Sequence, residues 1–269
     1  GTPCAKRWVY DSGIHVPLLA RGLPGAAPGS VCSTPVSFVD LAPTVLTLAG
    51  VDVPAYMQGR PLPGLPDADP RVYVHAARDR MDERYECIRA ARDKRFKYLR
   101  NYAPYRPYDQ YLQYPEKYPI MREMRRVEAE GGLTAAQRRF LKDEKPLEEL
   151  YDTEADPYEL DNLAGKAAHQ DTLTRLRGAC DAWMRRVGDL GAVPEPELDA
   201  WLAAGGKEPP SAPPVTYAPL EGAAGARAVF GRPVNAWVKA LNTEAPLFRL
   251  WAARSLAAAG ALDALVPAL

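Results

Sequence analysis

With 269 residues the chain is long enough for one large domain or two small ones. Lys+Arg and Asp+Glu both total 34, so no global charge speaks for nucleic acid or a membrane surface. Apolar residues at 47% and charged residues at 25% describe an ordinary globular chain, and no apolar run approaches the roughly 20 residues of a membrane span. Cys4, Cys32, Cys87 and Cys180 lie far apart with no C-x-x-C pair, which argues against zinc and for buried thiols. The start, Gly1-Thr2-Pro3-Cys4, is neither an initiator Met nor a signal peptide, so the chain reads as cut at its front and its compartment stays open.

Residues 6–15 read as a loop beginning at Lys6 and feeding Val16-Pro17-Leu18-Leu19-Ala20, an apolar run expected to be a strand buried on both faces. Leu23 to Ser30 is turn chemistry. A helix follows, opened by Ser37 or Asp40, with Val39, Leu41, Val45, Leu46 and Leu48 as its apolar positions. Pro43 is tolerated there only in the first turn, and Gly50 supplies a left-handed stop. Residues 53–66 are a loop containing Gly59-Arg60-Pro61-Leu62.

From Arg71 the period changes. Residues 71–76 read as a strand, and 86–92 and 95–100 alternate across Asp93-Lys94 as a hairpin. Residues 119–131 and 134–142 are helical, the second opened by Thr134 as N-cap, and Glu149–Asp152 is a last short strand. Leu173, Leu176, Cys180, Trp183, Met184 and Val187 recur at helical spacing. Residues 196–244 read as a Pro/Gly-rich linker with short strands, and 245–269 as a truncated HEAT-like helical pair. One such pair cannot bury its own apolar face.

Residues 78–100 hold nine Lys/Arg against five Asp/Glu, and seven of the fourteen tyrosines fall between Tyr98 and Tyr118. Arginine forks onto sulfate or carboxylate and tyrosine faces stack on sugar rings, so the pairing suits an anionic sugar. The plainer account is a basic sheet surface with tyrosines packing a loop-rich segment. Nucleic acid is a weaker third account, since no binding motif accompanies the patch. His75 has two readings as well: a satisfied core histidine in a strand, or one of a charged group at a strand end.

Three passages carry a resemblance. They are Lys-x-x-x-Tyr-Asp-x-Gly-x-x-Val-Pro at residues 6–17, Phe38–Leu46 followed by Leu48-Ala49-Gly50, and Glu149-Leu150-Tyr151-Asp152 running into Asp156-Pro157, Glu159 and Asn162-Leu163-Ala164. They resemble segments of the sulfatase family, within the alkaline-phosphatase-like superfamily, and above all bacterial glycan sulfatases and heparan N-sulfatase (sulfamidase)-like proteins. The fold this implies is α/β: a remnant of the sulfatase α/β core over 1–66, a smaller C-terminal subdomain with antiparallel sheet and helices over 67–195, the linker, and the HEAT-like tail.

The resemblance also implies roles. Lys6 is expected to reach the sulfate and stabilise charge growing on the leaving side. His75, Arg78, Asp79, Arg80 and Asp82 are expected to read substrate from the smaller subdomain. His15 stands where relatives carry arginine, and Asp40 reads as a helix cap. The family uses a formylglycine within C-x-P-x-R and a Ca2+ ion held by carboxylates. Cys32-Ser33-Thr34-Pro35-Val36 has its proline one place late and no arginine, so nucleophile and metal ligands are expected upstream of residue 1, in a missing N-terminal half. The expected parent hydrolyses sulfate esters or sulfamates on a glycan, while this chain alone is expected to be inactive. The alternatives are a phosphodiesterase or phosphonate-monoester hydrolase of the same superfamily, and a non-catalytic binding or scaffold piece.

Overall fold

The computed structural model describes residues 5–64, 71–80, 83–104, 106–191, 193 and 195–206. They fall into two compact units, the first drawn from Gly1–Ala77, Arg89–Leu99 and Glu149–Trp183, the second from Arg78–Ile88, Arg100–Glu148 and the residues from Met184 onward. The expected HEAT-like pair lies outside the described residues. Among the described residues no helix is long and apolar enough to cross a membrane.

Four strands, β1 (Val74–Arg78), β2 (Ile88–Arg92), β3 (Phe96–Asn101) and β4 (Glu148–Asp152), form one sheet in the order β1-β2-β3-β4. The hairpin joining β2 to β3 is made by Asp93. Its carboxylate accepts the N–H groups of Arg95 at 2.8 Å and Phe96 at 2.6 Å, while its own N–H donates to Phe96 O. This is the self-bonded turn for which aspartate is favoured. β3 and β4 run antiparallel, since Asn101 N–H donates to Leu147 O at one end and Thr153 N–H to Arg95 O at the other.

The helices are α1 (Asp11–Ile14), α2 (Leu41–Leu48), α3 (Gln113–Glu116), α4 (Pro119–Ala129), α5 (Ala135–Arg138), α6 (Gln170–Val187) and α7 (Glu195–Ala203). α4 opens with Pro119, whose missing N–H costs nothing there. α5 starts at a capping box in which Thr134 and Gln137 exchange backbone-to-side-chain bonds. α6 buries Leu173, Leu176 and Cys180 at the expected spacing. α7 takes up the first residues of the segment read as a linker.

Before α2, Ser37 and Asp40 close a capping box, and the Asp40 carboxylate is buried at 2% exposure. It accepts the N–H groups of Ser37 at 2.8 Å and Arg60 at 2.9 Å and pairs with the guanidinium of Arg71. Thr44 Oγ1 donates to Asp40 O and accepts Leu62 N–H. The loop around Gly59 is thus strapped to the helix start. A Cβ at Gly59 would stand 1.8 Å from Val39 O, which is why glycine occupies it. Gly50, at φ 68, ends the helix as expected.

Two expectations fail in this region. Val16–Ala20 is not a strand; it is irregular and exposed, with Leu19 at 94%. An apolar run becomes a doubly buried strand only with neighbours on both edges, and among the described residues the only strands are those of the β1–β4 sheet. The apolar positions of α2 also point the wrong way. Its buried residues are Pro43 and Thr44, whereas Val39, Leu41, Val45 and Leu48 are exposed and Leu46 is half-buried; Phe38, on the 3-10 turn just before the helix, continues the exposed stripe of Leu41, Val45 and Leu48. The bonds of Asp40 and Thr44 set which side turns inward. Cys87 and Cys180 are buried free thiols as expected, but Cys32 is exposed.

Candidate functional site around the Lys6 segment

Lys6 lies on a single 3-10 turn, Ala5–Arg7, and is exposed. The four residues after the turn, Trp8, Val9, Tyr10 and Asp11, are buried. Trp8 and Tyr10 rings pack at 6.0 Å, and Tyr10 meets Tyr151 of β4 edge-on at 6.2 Å. The Tyr10 hydroxyl shares its proton between the two oxygens of Glu149, at 2.8 and 3.1 Å, and Tyr151 donates to the same carboxylate at 2.5 Å. Glu149, wholly buried, is therefore held by two phenols.

One residue further on, charge replaces aromatic contact. Asp11 N–H donates to Glu159 Oε2 at 2.7 Å. The Asp11 carboxylate faces two cations: Arg92 Nη2 at 3.2 Å, which also donates to Thr153 Oγ1, and Lys97 Nζ. Lys97 is wholly buried on β3 and also touches Glu159 Oε1 at 2.7 Å and Val9 O at 3.3 Å. Burial pushes the Glu159 carboxyl above its ordinary range; Lys97 and the Asp11 N–H oppose that, and the Asp11 carboxylate adds to it.

The passage 149–164 closes on itself around β4. β4 ends the strand order and needs partners on its outer side. Asn162 Oδ1 accepts Leu150 N–H at 3.0 Å, and Leu163 N–H donates to Leu150 O at 2.8 Å. Asp156 turns the chain by accepting the N–H groups of Leu160 and Asp161. That turn sets Glu159 at φ 56, unusual for a residue with a side chain. The result brings its carboxylate to Lys97 and Asp11.

The other expected site residues divide between the two units. His75, on β1 in the first, stacks on Trp183 of α6 with ring centroids 4.9 Å apart and planes 12° from parallel. Arg78, Asp79 and Arg80 belong to the second. Arg78 is buried, and Arg80 donates to Val193 O while lying 5.7 Å from the Tyr85 ring. Asp82 lies outside the described residues.

The basic, tyrosine-rich stretch is not the surface patch its composition suggested. Arg78, Arg89, Lys97 and Arg100 are buried, as are Tyr98, Tyr102 and Tyr108; Tyr111, Tyr114 and Tyr118 remain exposed. The cations go inside because carboxylates meet them. Arg100 faces Glu148 at 3.5 Å, and Lys145 reaches Glu86 at 2.8 Å. Sequence reading missed Lys97, Arg92, Glu149 and Glu159. The available signal was a charged residue in mid-strand between apolar neighbours, as at Lys97 between Phe96 and Tyr98; Glu149, which follows Glu148, carried no such signal. Among the described residues no three His, Cys, Asp or Glu side chains cluster as a metal site, so the calcium that the resemblance implies finds no ligand set in them.

Residues 4–112 match the family model described as N-sulphoglucosamine sulphohydrolase, C-terminal. An ulvan-active sulfatase of Formosa agariphila is 42% identical over 197 residues, which cover 73% of this chain and 33% of that protein. A second ulvan-active sulfatase of the same organism is 32% identical over 191 residues, 69% of this chain and 36% of that one. The N-acetylglucosamine-6-sulfatase of Homo sapiens is 45% identical over 51 residues, 19% of this chain and 9% of that one. The chain thus spans about a third of the length of the first two relatives. It belongs to the sulfatase family, with residues of that family's C-terminal domain.

Proposed function

We propose that this chain is the C-terminal part of an enzyme that hydrolyses sulfate esters or sulfamates on a glycan, with Lys6 at its active site. The observation that carries the reading is the contrast at Lys6: an exposed ammonium on a turn whose next four residues are buried and tied to the sheet. A cation held in one place can stabilise charge growing on the leaving oxygen or nitrogen without reorganising at the moment of reaction. The glycan is suggested by the names of the relatives, two ulvan-active sulfatases and an N-acetylglucosamine-6-sulfatase.

The nucleophile and the metal ligands belong, in this reading, to a preceding α/β body. The exposed stripe Phe38, Leu41, Val45 and Leu48 supports such a body, since an apolar helix face of that size is ordinarily covered. Residues 1–66 complete that body and 67–195 form the smaller subdomain. His75, Arg78, Asp79, Arg80 and Asp82 are retained as candidate substrate readers.

The test compares this chain alone with the full-length enzyme on a sulfated sugar and on a phosphodiester, with calcium present. Sulfate release by the full-length enzyme and only background release by the chain alone is the expected result. Preferential turnover of the phosphodiester would reassign the chemistry to phosphoryl transfer. Turnover by the isolated chain, abolished by one of its own substitutions, would end the fragment reading. No turnover by either would favour a binding or scaffold role.

A further inference from the structure

We propose that Lys97 is a positioning residue for Lys6, acting through Asp11 and Glu159; the proposal rests on the reading of Lys6 as an active-site cation. Lys97 Nζ is a point where three acceptors from two distant segments converge: Val9 O and the Asp11 carboxylate from the Lys6 segment, and Glu159 Oε1 from the passage after β4. β3, which carries it, is an interior strand between β2 and β4.

A buried ion pair is a poor way to stabilise a sheet, because taking its charges out of water offsets much of their attraction and an apolar side chain of similar volume serves as well. What charge supplies and an apolar filler does not is a specified location for its partners. Here those partners are the backbone at Val9 and the first residue of α1, only three and five positions after Lys6. The far partner is itself held in a costly conformation. Glu159 sits at φ 56, and strain of that kind persists where surrounding bonds enforce it. Asp156 enforces it by accepting the Glu159 N–H on its carbonyl and the next two N–H groups on its carboxylate. Among the described residues the polar contacts of the Lys97 side chain are Val9 O, Asp11 and Glu159, and it acts on Lys6 through the segment it holds.

Two measurements test this. Amide hydrogen exchange on the 269-residue chain compares wild type with Lys97→Met and with Glu159→Gln, the latter nearly isosteric and retained in case Lys97→Met fails to fold. Amides of residues 8–14 should exchange roughly tenfold faster or more in the variants, while those of β2 and β4 keep their protection. In the full-length enzyme, Lys97→Met should lower kcat with little change in KM, and adding it to Lys6→Ala should cause no further loss. Unchanged exchange at 8–14, equal loss of protection across the sheet, or losses that multiply with Lys6→Ala would overturn the proposal. An unchanged kcat in Lys6→Ala overturns the reading of Lys6 instead, and the exchange data separate that failure from failure of the positioning claim.

Discussion

The Tyr10 hydroxyl and the Glu149 carboxylate meet at 2.8 Å although 139 positions separate them, and the bond is buried. It ties the segment that presents Lys6 to the edge strand. Because Tyr151 donates to the same carboxylate, Glu149 has two phenol donors, and removing one leaves a buried acceptor short of a partner. Tyr10→Phe should cost about 1–3 kcal/mol in urea unfolding, by the usual penalty for such a group. Tyr151→Phe should behave alike, and the double variant should depart from the sum. A cost below about 0.5 kcal/mol, the range of ordinary surface changes, would show that the bond does not anchor the segment.

Lys6 is exposed, so its truncation separates chemistry from stability. In the full-length enzyme Lys6→Ala should lower kcat about 10²–10³-fold, by analogy with removal of an oxyanion-hole donor, and change stability by less than about 0.5 kcal/mol. Lys6→Arg should not restore the rate, because a planar guanidinium cannot occupy the same point. Steady-state kinetics on a sulfated sugar decide it, and an unaltered kcat removes Lys6 from the active site.

Two acids of the passage 149–164 should answer acid in opposite senses. Hydrogen bonding to Arg95 is the main cause holding the Asp152 carboxyl below its ordinary 3.8, against the effect of burial and with help from the N–H groups of Ala155 and Glu154. Its contribution is present above 3.8 and is lost as pH falls through the lower folded value. Burial raises the Glu159 carboxyl above its ordinary 4.5, so its contribution is full below 4.5 and is lost as pH rises through the higher folded value. Urea midpoints followed from about pH 3 to 7 should show Asp152→Asn flattening the acid limb and Glu159→Gln removing a decline above it. Identical profiles for all three chains would contradict both signs.

Gly59 and Gly165 make a matched pair. A Cβ at Gly59 would meet Val39 O at 1.8 Å, backbone that cannot step aside without breaking the straps from Arg60 and Leu62. Gly59→Ala should destabilise by about 1–3 kcal/mol, as overpacking does. Nothing lies within 4 Å of a Cβ at Gly165, where alanine should be neutral or stabilising by about 0.4–1 kcal/mol through the unfolded chain. Thermal unfolding of the two variants checks the contrast, and equal melting temperatures would refute it.

What the sequence determined by itself was local. Asp93 makes the β2–β3 turn with its own side chain, Thr134 and Gln137 cap α5 between themselves, and Gly50 stops α2 with a φ of 68. Each of these needs partners only a few residues away, so pattern and turn chemistry suffice to read them. The passage 149–164 was legible as a unit, but its purpose came only with β4 at the sheet edge, where Asn162 and Leu163 complete the bonding of Leu150. Which face of a segment lies inside depends on partners far along the chain. Asp40 turns the polar side of α2 inward because Arg60 and Arg71 reach it, and the apolar stripe is left outside. Lys97 is buried rather than solvated because Asp11 and Glu159 arrive from segments 86 positions before it and 62 after it. Tertiary structure alone decided these points, since a charge can leave water only where opposite charge has already been brought to meet it.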